Sequence, residues 1–133
     1  MTLLCHLKMG AMADIFVGLG SNLGDRSRFL RFSVSALQRI SGMRLRQCSQ
    51  FHLTHPVGGP PQPDYVNAVA RFETSYSPHQ ALSFFQQVEW KYGRRREMQD
   101  GPRTLDIDLL WYGGISLKGE HLTLPHPRMG ERG

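Results

Sequence analysis

This chain has little that could cross a membrane, hold zinc or staple itself together. No apolar run reaches the roughly twenty residues that a membrane-spanning helix needs. Cysteine occurs only twice, at Cys5 and Cys48, at no zinc-ligand spacing and too sparsely for a disulfide framework. Two free thiols in a reducing cytoplasm are the expectation. Internal repeats and low-complexity stretches are absent, which excludes solenoids and linkers. Neither a Gly-Lys-Ser/Thr phosphate loop nor a G-x-G-x-x-G fingerprint is present. The opening "MTLLCHLKMGAMAD" lacks the order of a secretory signal, because Lys8 follows its short apolar run. Residues 1–13 read as a loosely ordered tail, with Met9 and Met12 leaving a later start open, and residues 14–133 as one domain. What the chain does have is arginine, which far outnumbers lysine and gives a net charge of +5. A basic balance suits nucleic acid and equally any phosphate-rich ligand.

The patterning predicts six main elements and a small strand appended to them. "DIFVGLG" (Asp14 to Gly20) reads as a strand entering a glycine turn. Leu30, Val34, Leu37 and Ile40 recur at helical spacing after Asp25, and Ser41-Gly42 ends that helix. "LRQCSQFHL" (Leu45 to Leu53) is a strand. "THPVGGPPQPD" (Thr54 to Asp64), with four prolines and two glycines, is a loop. "YVNAVARFET" alternates as a strand. Ser77-Pro78 is an N-cap with proline at the first helical position, and the helix behind it puts Ala81, Phe85, Val88 and Tyr92 on one face. A second polar loop, "GRRREMQDGP", leads into the strand "RTLDIDLLWYG", and "HLTL" makes a short final strand. The order β-α-β-β-α-β predicts an α+β, ferredoxin-like sandwich: an antiparallel sheet with two helices on one face.

The chemistry concentrates in the last long strand. Asp106 and Asp108, two residues apart, share one face, while Leu105, Ile107 and Leu109 point the other way into the core. Two like charges so close need a positive partner. Oxygen-only ligands with open positions suit magnesium, which takes its remaining ligands from water and phosphate; a solvated face paired with arginine would use the same residues. Arg94, Arg95 and Arg96 precede the strand, and Arg103 opens it. Their forks fit phosphate oxygens, and carboxylates beside arginines are the two halves of a phosphoryl-transfer site. "LPHPRMGER" adds His126, Arg128 and Arg132 among the cations. Tyr65 and Asn67 share a strand face, where an aromatic and an amide could stack on and bond a flat heterocycle. "GLGSNLGD" (Gly18 to Asp25) reads as a structural turn.

At this point the chain resembles a known family. "GPRTLDIDLL" is similar to the signature of the 6-hydroxymethyl-7,8-dihydropterin pyrophosphokinases of folate biosynthesis. The likeness extends in order through "GLGSNLGD", "QPDYVNAV", "EWKYGR" and "LPHPRMGER", over roughly Ile15 to Gly133. It implies a ferredoxin-like fold. It also implies a reaction in which the pterin hydroxymethyl oxygen attacks the β-phosphorus of ATP, moving the β,γ-diphosphoryl group and releasing AMP. Two Mg2+ ions on Asp106 and Asp108 are implied, with ATP as co-substrate. By position, Arg94 and Arg103 match the family's catalytic arginines. Gln86, Glu89, Arg96, His126 and Arg132 match its ATP side, and Thr54, Val57, Tyr65 and Asn67 its pterin pocket. The implied partners are these two small molecules, with no nucleic acid and no membrane, for a cytoplasmic monomer.

The chain also departs from the family pattern. Asp100 stands where many members carry a tryptophan before the Gly-Pro-Arg, in a loop one residue shorter, and His121 stands where some carry an ATP-contacting arginine. The family's chain runs on past the counterpart of Arg132, with an aromatic that sandwiches the pterin. This chain is therefore expected to be short at its C-terminal end and to bind ATP better than pterin. Two other readings stay open from the residues alone. A ferredoxin-like RNA-binding module would suit the charge, but no aromatic ribonucleoprotein motif is present and the strongest strand carries two carboxylates. Another magnesium-dependent nucleotide transferase would release ADP in place of AMP.

Overall fold

The computed structural model describes residues 12–22, 25–55, 61, 64–91 and 105–127. The elements are β1 (Ala13–Ser21), α1 (Arg26–Gln38), β2 (Met43–Cys48), β3 (His52–Thr54), β4 (Tyr65–Thr74), α2 (Pro78–Lys91), β5 (Asp106–Tyr112), β6 (Leu117–Lys118) and β7 (Thr123–Leu124). The main sheet runs β2-β4-β1-β5, with β3 also on β4, and every pairing is antiparallel. This is the ferredoxin-like α+β arrangement, with β2 and β3 sharing the place of one strand. Among the described residues no helix is long and apolar enough to cross a membrane.

One face of the sheet carries the core. Ile15, Val17 and Leu19 of β1 lie in register with Phe72, Ala70 and Ala68 of β4, and Leu19 and Val17 with Ile107 and Leu109 of β5. All are buried, together with Leu30 and Leu37 of α1 and Ala81, Phe85 and Val88 of α2. The stripes read from helical spacing are those the helices bury; Val34 and Ile40 pack at the margin, and Tyr92 lies outside the described residues. Ser33 is also fully buried, its hydroxyl donating to the Leu30 carbonyl at 2.8 Å. Both predicted helix starts hold. The Asp25 side chain accepts from Arg28 N, and Ser77 and Gln80 exchange bonds between side chain and backbone, the reciprocal pattern of a capping box.

Three details depart from simple alternation. Gly18 and Gly20 lie inside β1, not in a turn beyond it. The strand expected over Leu45 to Leu53 breaks at Ser49, whose backbone and hydroxyl both bond Val69 (2.8 and 2.9 Å) in place of a regular ladder step. In β5 the register slips by one: Val17 faces Leu109 but Phe16 faces Trp111, so Leu110 is extra. Beyond that bulge Tyr112 turns into the core, its hydroxyl donating to the Tyr76 carbonyl at 2.7 Å.

Burial pushes the Tyr112 phenol above its ordinary value of 10.0. A raised value means that the fold favours the protonated phenol. The stability this gives is complete below pH 10 and is lost as pH rises through the raised value. Tyr112→Phe is expected to lower stability by about 1 kcal/mol at neutral pH and to flatten that alkaline decline. Urea midpoints of the two proteins at neutral and alkaline pH measure both effects.

Candidate active site

The face of the sheet opposite the helices collects the chemistry. Two rows cross it at the end where β1 finishes. In one, Asp106 of β5, Gly20 of β1, Asn67 of β4 and His52 of β3 stand in register. In the next, Asp108, Gly18 and Val69 do so. Further along, Trp111, Phe16 and Arg71 form a third row, where the Phe16 and Trp111 rings lie 5.3 Å apart and Arg71 pairs with Asp14 at 3.2 Å.

The glycines explain how the first row can work. A Cβ on Gly20 would fall 2.8 Å from Asn67 Oδ1 and 3.3 Å from the Tyr65 ring. Only a residue without a side chain lets Tyr65 and Asn67 occupy that position. Asn67 is in turn held by Thr54 of β3, to whose hydroxyl its amide nitrogen donates. Thr54, Tyr65 and Asn67, all expected at the pterin pocket, therefore meet as one wall. The carboxylate of Asp106 starts two strand spacings away, about 10 Å, across the cleared glycine.

Asp106 and Asp108 are half-buried on the open face, and Leu105, Ile107 and Leu109 are buried on the other, as the alternation predicts. Among the described residues β5 is the sheet's edge, and its outer amides have no strand partner there. Glu89 of α2, itself buried, fills the gap: its Oε2 accepts from Ile107 N at 2.6 Å, between the two aspartates. The family resemblance implies an ATP contact for Glu89; the structure shows this bond to the strand. Gln86, three residues earlier, is exposed. His126 reaches the same site through the bulge. Its backbone N–H donates to the extra carbonyl of Leu110 at 2.7 Å, and its Nε2 lies 4.0 Å from Asp108 Oδ1. A cavity of about 300 Å³ opens beside the two, lined also by Leu82, His121, Thr123 and Pro127. Leu82 and Thr123 were not anticipated, for nothing in their spacing marks them. Arg94, Arg96, Arg103, Arg132 and Val57 lie outside the described residues.

Two carboxylates on one face, beside a backbone bare of side chains, form an oxygen donor set with open positions. Among the described residues no group of three or more metal-ligating side chains occurs. A cation held by such a pair would have to take its other ligands from water or substrate, a donor set that suits magnesium better than a closed structural zinc site.

Comparison with known proteins gives the class of enzyme first. The relatives are pyrophosphokinases, ATP-dependent transferases of a diphosphoryl group. The family model for 7,8-dihydro-6-hydroxymethylpterin-pyrophosphokinase matches residues 16–133, and the chain belongs to that family. Several relatives carry the name 2-amino-4-hydroxy-6-hydroxymethyldihydropteridine pyrophosphokinase, three of them as follows. The Bacillus subtilis protein is 38% identical over 117 residues, which cover 88% of this chain and 70% of that one. The Synechocystis protein is 40% identical over 116 residues (87% and 59%), and the Haemophilus influenzae protein 40% over 121 (91% and 76%).

Two substitutions test the geometry. Glu89→Ala leaves the buried Ile107 N–H without its acceptor, an expected loss of about 2 to 3 kcal/mol in urea unfolding, whereas Glu89→Gln keeps an acceptor and most of the stability. Gly20→Ala forces Asn67 and Tyr65 aside and is expected to weaken pterin binding with little effect on ATP, as calorimetry with each ligand would show.

Proposed function

We propose that this chain transfers the β,γ-diphosphoryl group of ATP to the hydroxymethyl oxygen of 6-hydroxymethyl-7,8-dihydropterin, with Mg2+ held by Asp106 and Asp108. The observation that supports it best is the register row Asp106–Gly20–Asn67. It puts carboxylates suited to a metal-bound phosphate and an amide suited to a heterocycle edge about 10 Å apart, with no side chain on the strand between them, so that Tyr65 and Asn67 can lie over Gly20. That span leaves room for a fused two-ring pterin whose hydroxymethyl points at the phosphates.

In this reading Tyr65 stacks on the pterin and Asn67, steadied by Thr54, bonds its edge, with Val57 completing the pocket. The ATP phosphates extend over Asp106 and Asp108 toward His126, and the nucleoside occupies the cavity by Leu82, His121 and Thr123. Gln86, Glu89, Arg96 and Arg132 serve the ATP side, while Arg94 and Arg103 engage the reacting phosphates. Magnesium, when bound, neutralises phosphate charge; two ions suit two carboxylates. The hydroxymethyl oxygen forms a bond to the β-phosphorus as the bond from that phosphorus to the α,β-bridging oxygen breaks. AMP leaves with that electron pair, and the hydroxyl proton passes to solvent. Alignment and charge neutralisation carry the rate. The same reading has the protein work as a cytoplasmic monomer on these small molecules, without nucleic acid or membrane; its two sparse cysteines suit a reducing compartment.

The test is turnover of ATP with the reduced hydroxymethylpterin, with AMP measured. Release of ADP, or no pterin-dependent AMP, would refute the proposal. Asp106→Ala and Asp108→Ala are each expected to lower kcat on the order of a thousandfold, the several kcal/mol that metal-held charge contributes, with the circular dichroism spectrum unchanged. Arg103→Ala is expected to lower kcat more than it weakens ATP binding, as befits a group acting mainly in the transition state. A change in ATP affinity alone would make Arg103 a ground-state anchor.

A further inference from the structure

The wall formed by Thr54, Tyr65 and Asn67 is fastened from outside by residues that the functional reading does not use. Thr54 and Tyr65 are the last register pair between β3 and β4. One step further on, the strands no longer pair through the backbone. There His55 Nδ1 lies 2.7 Å from Asp64 Oδ1. A carboxylate only accepts, so the proton sits on Nδ1 and the ring donates. Side chains thus continue the ladder by one step. The Asp64 carbonyl also accepts from Arg26 Nη1 at 2.6 Å. Arg26 is the first residue of α1, so Asp64 joins the end of β3, the start of β4 and the start of α1.

We propose that His55 and Asp64 are positioning residues for the pterin, acting through Thr54 and Tyr65. The inference rests on the reading of that wall as the pterin pocket. The His55–Asp64 bond fixes where β3 ends relative to where β4 begins, and so fixes the Thr54 hydroxyl that holds Asn67. The pair lies on the side of the sheet away from β5, so it touches neither Asp106 nor Asp108. Its effect therefore falls on one substrate and not the other. The His55 side chain is 87% exposed and that of Asp64 36%, so the bond is of the modest kind: its loss should cost about two- to fivefold in affinity.

His55→Ala, Asp64→Ala and the double variant separate this role from a general one. Dissociation constants for 6-hydroxymethylpterin are measured by calorimetry with a non-hydrolysable ATP analogue and Mg2+ present, alongside KM for ATP and kcat. Each single variant is expected to raise the pterin constant about two- to fivefold, with ATP KM and kcat at wild-type levels. The double should be no worse than the worse single, since one bond is lost in all three. His55→Asn, whose amide can still donate, should recover part of the affinity. Unchanged pterin affinity in both single variants, or effects that multiply in the double, would overturn the clasp while leaving the pyrophosphokinase reading intact. A wild-type chain that binds no pterin would overturn both.

Discussion

A single hydrogen bond, from the Ile107 amide to the buried Glu89 carboxylate, sets the conditions for the rest of the site. β5 is an edge strand carrying two negative charges on its open face, and edges with unpaired amides are the least constrained part of a sheet. A carboxylate brought from α2 supplies what a further strand would have supplied. It does so at the residue between Asp106 and Asp108, so the backbone least tied down by neighbours is fixed at the point where position matters most. The apolar contacts of Leu105, Ile107 and Leu109 hold the strand against the helices; the Glu89 bond sets its height along them. Burying a carboxylate is costly unless it is well bonded, and this placement makes helix, strand and the two outward aspartates interdependent.

The second constraint is a lack of side chains. Gly18 and Gly20 stand opposite Asp108 and Asp106 on one side and Val69 and Asn67 on the other. In most strands such central positions would carry β-branched residues. Here bare backbone forms the floor between two clusters of polar groups, and a Cβ at Gly20 would meet Asn67 and Tyr65. Among the described residues, the Thr54–Tyr65–Asn67 wall and the Asp106–Asp108 pair are separate groups of side chains on either side of that floor.

Much of this was legible in the residues. Helical spacing marked Leu30, Leu37, Ala81, Phe85 and Val88, and period-two alternation separated Asp106 and Asp108 from the leucines beside them. These signals are local and strong, because each element has one buried face. What escaped the sequence depends on strands far apart in the chain. Gly18 and Gly20 read as a turn, since glycine before a helix usually means one; only pairing with β4 and β5 reveals them as strand residues. The break at Ser49 depends on Val69, twenty residues away. Glu89 lies on the predicted helix, but its bond to Ile107 needs the helix docked. Family resemblance, not spacing, marked Gln86 and Thr54, while His126 stood out by its place among cations.

The extra residue in β5 has a consequence for how this strand tolerates change. Up to Leu109 the even-numbered residues face outward; past Leu110 the odd-numbered Trp111 does so and Tyr112 turns inward. One strand therefore carries two reading frames, an outward-charged frame near its start and an inward-aromatic frame near its end, with Leu110 as the punctuation. Its carbonyl is also the point to which the His126 backbone is tied. Losing that one residue would restore plain alternation, with Trp111 still outward and Tyr112 still inward, but would remove the mooring of His126. What the extra residue supplies is the anchor for His126, not the facing of the two rings.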